Sequence, residues 1–124
     1  MVTYNEYLKG ILVQIIDSYD ILKEINDKPG DLDLIKKELL RINGFVRVIL
    51  NKIDVEKIPV SDFKHVKSKF RHYNENYFFV QEIETMAPLY SNDPFRMKNM
   101  RLKILEALED RKMVDDIGDL IEKL

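Results

Sequence analysis

LDLIKKELLRINGFVRVILNKI, residues 32–53, decides the fold class. Leu32, Ile35, Leu39, Ile42, Val46, Ile49 and Ile53 recur at alternating spacings of three and four. That is an unbroken a/d seam over about three heptads, the pattern of a helix that packs coiled-coil fashion along its length. A strand would need apolar and polar residues to alternate, and no such run of useful length occurs in the chain. Gly44 lies within this helix, either as a local weakness or as a point of close approach. Phe45 and Val48 fall off the seam and give the helix additional apolar surface.

On the N-terminal side, DKPGD (27–31) combines Pro29 and Gly30, a strong breaker. Before it, Leu8, Ile11, Ile15, Leu22 and Ile25 share one face of a helix expected over Tyr4 to Asn26, and Leu12, Ile16 and Tyr19 widen that face. On the C-terminal side, DVEKIPVSD (54–62) reads as a connector, with Pro59 blocking helix continuation and Ser61 as the N-cap of the next helix. This third helix is expected over Asp62 to Met86, on the stripe Phe63, Val66, Phe70, Tyr73, Tyr77, Val80 and Ile83. APLYSNDP (87–94) reads as a loop that ends in an Asp93 N-cap with Pro94 at the first helical position. A fourth helix is expected over Phe95 to Arg111, with Met97, Met100, Ile104 and Leu108 on one face and Phe95 and Leu102 nearly opposite. A short fifth holds Val114, Ile117, Leu120, Ile121 and Leu124.

The expected architecture is therefore all-α. Residues 1–124 form one domain, an antiparallel bundle of three long helices plus a C-terminal helical hairpin, with shallow left-handed crossings. A chain of 124 residues with 45% apolar content can bury a real core without staples. There is no cysteine, so a disulfide scaffold and a cysteine zinc site are excluded. No apolar run approaches the roughly 18 residues of a membrane span, and no basic-then-apolar leader pattern opens the chain. The expectation is a cytoplasmic protein that makes no membrane contact. A net charge of −2 gives no global attraction to nucleic acid.

One stretch of the third helix resists the one-sided pattern. In NENYFFVQE (74–82), Tyr77, Phe78, Phe79 and Val80 are consecutive, and four successive residues go right round a helix. Tyr77 and Val80 belong to the main stripe; Phe78 and Phe79 point away from it. Together with Phe45 and Val48 they imply more than one buried side, covered either by neighbouring helices of the bundle or, on the sharper reading, by a second chain. The first functional expectation is a small non-enzymatic helical protein acting through protein–protein contacts, pairing as a homodimer through Phe45, Val48, Tyr77, Phe78 and Phe79.

The alternative is a nucleic-acid-associated protein. KHVKSKFRHY (64–73) carries Lys64, Lys67, Lys69 and Arg71 without an acid, and RMKNMRLK (96–103) carries Arg96, Lys98, Arg101 and Lys103. Phe70 and Tyr73 lie on the apolar stripe, however, and the cations flank it as a solvated face does. Fourteen Ile and fourteen Lys against two Ala suggest AT-rich coding, so the lysines report codon usage as well as chemistry. RLKILEALEDRKMVDDIGDLIEKL (101–124) resembles the first two helices of a winged helix-turn-helix domain, with Ile104, Leu105 and Leu108 on the first and Val114, Ile117, Leu120 and Ile121 on the second. The helix that would enter the major groove has no counterpart in this stretch, so no DNA-reading residue is carried over.

Candidate chemistry is sparse. His65 and His72 lie seven residues apart, about 10 Å along the axis, too far for one metal. The Glu-x-x-His order of di-iron bundles is absent. Glu106 and Glu109 could share a Mg²⁺ at i, i+3, similar to helical nucleotide pyrophosphatases, but Glu82 and Glu84 are two apart and cannot supply the second pair. No nucleophile stands with a matching base, and there is no P-loop, G-x-S-x-G or glycine-rich dinucleotide turn. The expectation is no enzyme, no metal and no cofactor.

Overall fold

The computed structural model describes residues 3–53, 57–58 and 61–124. Its elements are α1 (Tyr4–Glu24), α2 (Asp31–Lys52), α3 (Asp62–Asn76), α4 (Phe79–Tyr90), α5 (Pro94–Glu109), a 3₁₀ turn (Asp110–Lys112) and α6 (Met113–Lys123). The fold is all-α, with no strand among the described residues. No helix is long and apolar enough to cross a membrane. Pro59 lies outside the described residues.

α1 starts where Thr3 accepts a hydrogen bond from the Glu6 amide at 3.1 Å, satisfying one of the orphan donors of the first turn. Its apolar face is buried from Leu8 to Leu22. Gly30, at φ +93°, makes the left-handed entry into α2 that the Pro29–Gly30 pair signals. Every residue of the α2 seam, Leu32 to Ile53, is buried. Gly44 is not a close-approach position: a Cβ there would meet nothing within 4 Å. Ser61 stands at the N-cap of α3 without using its hydroxyl, and the Lys64 amide bonds the Ser61 carbonyl instead.

The third expected helix is two helices. α3 stops at Asn76, Tyr77 is extended (φ −126°, ψ 126°), and α4 begins at Phe79. The Asn76 side chain donates to the His72 carbonyl at 2.8 Å, satisfying a C-terminal acceptor. The break also answers the packing problem of the aromatic run. It turns Phe79 inward to stack on Tyr77, ring centroids 5.4 Å apart, and leaves Phe78 outside. The expected loop at 87–94 is shorter than anticipated, because α4 runs through Pro88 to Tyr90. A proline in the last turn loses one amide bond without ending the helix at once. Asp93 caps α5 as expected, accepting from Phe95 N at 3.0 Å and Arg96 N at 3.2 Å, with Pro94 at the first helical position.

α1 packs on α2, α5 and α6; α2 also meets α3, α4 and α5; and α6 closes against α3. Buried polar groups pin two of these contacts. Glu38 accepts from Ser18 of α1 at 3.4 Å and from Arg41 at 2.9 Å. Arg101 of α5, 9% exposed, grips Asp27 with two bonds of 2.9 and 2.8 Å and adds the Leu22 carbonyl at 3.3 Å.

Candidate functional site

The five residues expected at a dimer interface separate. Phe45 and Val48 are half-buried and pack against the core. Tyr77 is half-buried, and its hydroxyl donates to Asp110 at 3.2 Å. Burial and that carboxylate together push its phenol up. Phe79 is 8% exposed, whereas Phe78 is 62% exposed. Phe78 lines a recess with Leu40, Asn43, Arg47 and Val80. Phe45 lies on the opposite side of α2 from Leu40 and Arg47 and does not join it.

The basic residues divide as well. Lys64 and Arg71 are exposed on α3. Lys67 donates to the Ile53 carbonyl at 3.4 Å, and Lys69 pairs with Asp116 of α6. In the second stretch, Arg101 is locked in the core. Arg96 lies over the Tyr90 ring at 3.7 Å and 3.6 Å from Asp93. Lys98 and Lys103 are exposed on α5. α3 and α5 both pack on α2 and α6, and on α5 Arg96 and Lys103 face a groove shared with α4 that no residue of α3 lines.

Of the acidic and histidine candidates, Glu109 and His72 bind other parts of the fold. Glu109 accepts from Tyr19 of α1 at 2.6 Å. Burial, reinforced by that carboxylate, raises the Tyr19 phenol. Glu106 points instead into the groove beside α4, so the two carboxylates do not converge. His72 Nε2 lies 3.3 Å from Asp110 and meets Tyr77 edge-on. His65 is exposed, beside Asp62, Asp116 and Asp119. Lys123 pairs with Asp62 and holds its carboxyl below the ordinary range. Among the described residues no three His, Asp or Glu side chains gather so as to hold a metal ion. Of the helix-turn-helix-like stretch, Ile104, Leu105, Leu108, Ile117 and Leu120 are buried and Val114 and Ile121 are half-buried.

The feature with the geometry of a binding site lies between α4 and α5. Residues 91–93 turn the chain back on itself: Tyr90 and Arg96 meet near the turn, and Phe79 and Ala107 line one recess at the far end. Between the two helices runs a groove of about 880 Å³. Met86, Leu89, Tyr90, Met100 and Leu102 give it an apolar floor and lip, and Glu82, Arg96, Lys103 and Glu106 edge it. Of the three most exposed large apolar side chains among the described residues, Leu89 at 76% lines the groove, while Phe95 at 80% lines a recess beside Ile25 and Asp27, and Phe78 at 62% lines the recess on α2. The off-stripe positions of Phe95 and Leu102 were visible in the sequence. Leu89 was hidden because Pro88 reads as a helix stop.

No family model, curated protein or solved structure matches the chain.

Proposed function

We propose that this is a small non-enzymatic helical protein that acts through protein–protein contacts, pairing as a homodimer, with the α4–α5 hairpin as its docking face. The observation that carries the reading is the groove between α4 and α5, with Leu89 and Leu102 exposed along it and Phe78 and Phe95 exposed at the starts of the two helices. Leaving a large apolar side chain in water forgoes roughly 1.5–3 kcal/mol, so a hairpin that leaves several of them bare gains from being covered. The interface expected from the aromatic run thereby shifts: Phe78 stays in it, and Phe79 and Tyr77 support it from within. Behind the face, the reading keeps an antiparallel bundle with coiled-coil-like packing along the α2 seam and α5–α6 as a C-terminal hairpin.

The test is solution mass by light scattering after gel filtration. The wild-type chain should elute at twice its 14.8 kDa. Leu89→Ser with Phe95→Ser should elute at the single mass with unchanged far-ultraviolet circular dichroism, because both side chains are already exposed. A dimer that survives these two substitutions removes the hairpin from the interface.

A further inference from the structure

The two walls of the groove differ in charge. On the α4 wall the charged residue is Glu82. On the α5 wall Arg96 and Lys103 stand along the groove, with Glu106 at its far end near the level of Phe78. The remaining acid of α4, Glu84, is turned to Lys36 of α2 at 3.4 Å and does not enter the groove. Charge in the groove therefore balances overall, with acid alone on the α4 wall and the cation left unpaired among the described residues, Lys103, on the α5 wall. A partner of one strong sign, such as a nucleic acid or an anionic lipid surface, would gain on one wall and lose on the other. A partner with its own acidic and basic walls gains on both.

The hairpin itself is such a partner. Counted outward from Asn92 in the turn, Glu82 and Leu102 are equidistant, so Glu82 stands close to the level of Lys103; Leu89 and Phe95 are likewise level. A two-fold axis parallel to the hairpin, lying in the contact plane, lays α4 of one copy over α5 of the other. Glu82 of each copy then meets Lys103 of its partner, and Leu89 comes to the level of Phe95 at the edge of the contact. Each contact is made twice. A two-fold axis perpendicular to the hairpin would instead lay like wall on like wall.

We infer that the α4–α5 groove is covered by a second copy of this chain, α4 on α5, with reciprocal Glu82–Lys103 pairs setting the register of the four paired helices. The inference rests on the homodimer and docking face proposed above and adds the symmetry, register and specificity pair of the contact.

Charge-reversal pairing tests it. Glu82→Lys and Lys103→Glu are both at exposed positions, and circular dichroism would verify that each variant folds. In sedimentation equilibrium, each variant alone should show a dissociation constant raised about tenfold or more, because like charges now face each other twice. An equimolar mixture of the two should recover the wild-type dimer mass, since every reversed charge then meets its opposite. The double variant should also dimerise. The register is overturned if either single variant pairs as tightly as wild type, or if the mixture stays monomeric. A wild-type chain that is monomeric at about 100 μM overturns the second copy as occupant. If Leu89→Ser with Phe95→Ser dissociates the dimer while the charge variants do not, the register falls and the docking face stands.

Discussion

Replacing Asp27 by asparagine is the sharpest probe of how this chain uses its charges. Asp27 and Arg101 are joined by two bonds of 2.9 and 2.8 Å, with only 9% and 10% of the respective side chains exposed. The carboxylate holds the guanidinium above its ordinary pKa through that hydrogen bonding, against the opposing effect of burial. Asparagine keeps the shape and tolerates the left-handed backbone at residue 27, φ +60°, so the substitution isolates the charge. Removing one partner of a buried ion pair costs about 3–5 kcal/mol. The substituted side chain retains one acceptor and Arg101 retains the Leu22 carbonyl, so the expected loss is about 2–3 kcal/mol. At an unfolding entropy near 2.1 cal/mol/K per residue, a chain of 124 residues should lose roughly 8–12 °C in Tm.

Urea unfolding followed at 222 nm measures this directly, with an unchanged m-value as the sign that only stability has moved. The double variant Asp27→Asn with Arg101→Met should recover at least half of the loss, because an apolar pair of similar volume often replaces a buried ion pair at little cost. A loss below about 1 kcal/mol for Asp27→Asn would refute the burial argument. It would point to an Arg101 reached by solvent on the side of Lys98, and revive a phosphate-binding role for that helix.

The same structure sets three further outcomes. Phe79→Ala should cost about 3–4 kcal/mol in urea, since it empties a buried site stacked on Tyr77, whereas Phe78→Ala should change the stability of the isolated monomer by less than about 0.5 kcal/mol. Gly44→Ala should raise stability by about 0.5–1 kcal/mol, because the new methyl group enters open space in the middle of α2; a loss would mean that something covers this side of α2 in solution. The phenols of Tyr19 and Tyr73 are both raised above the ordinary 10.0, chiefly by burial, so the stability they confer is complete below pH 10 and is lost as pH climbs from there toward their folded values. Urea midpoints taken from about pH 9 to 11.5 should fall for wild type and fall less steeply for Tyr73→Phe. Parallel slopes would count against the burial of Tyr73.

Legibility in the sequence tracked the range of the interaction. The α2 seam and the α1 face were readable because helical periodicity is local, and the Asp93–Pro94 start of α5 because capping is decided within one turn. The break at Tyr77 was not readable. Tyr77, Val80 and Ile83 continue the α3 stripe at helical spacing, and only the gain from stacking Phe79 on Tyr77 under the rest of the chain favours interruption. The fate of Arg101 was hidden for a similar reason: its partner lies 74 residues away, so a core ion pair looked like part of a basic stretch. The groove fell between these cases. Its α5 side was visible in Leu102, and its α4 side was obscured by a proline that a helix in its last turn can absorb.

The interruption at Tyr77 and the exposed hairpin are two consequences of one allocation of apolar residues. α4 spans 12 residues and buries only Phe79 and Ile83, while Val80, Met86, Ala87 and Tyr90 are half-covered and Leu89 is bare. A helix of this length is marginal in water without docking, so its stability comes from the surface it covers on both sides. On one side that surface is α2 and the edge of α5; the other side is open in the single chain. The amides of α4 should therefore exchange with deuterium faster than those of α1 and α2 in dilute protein, where the chain is single. They should slow markedly as concentration rises through the dimer dissociation constant, with α5 slowing alongside and α1 unchanged. Exchange in α4 that is already as slow as in α2 at high dilution would refute the argument, because the helix would then be complete without a partner.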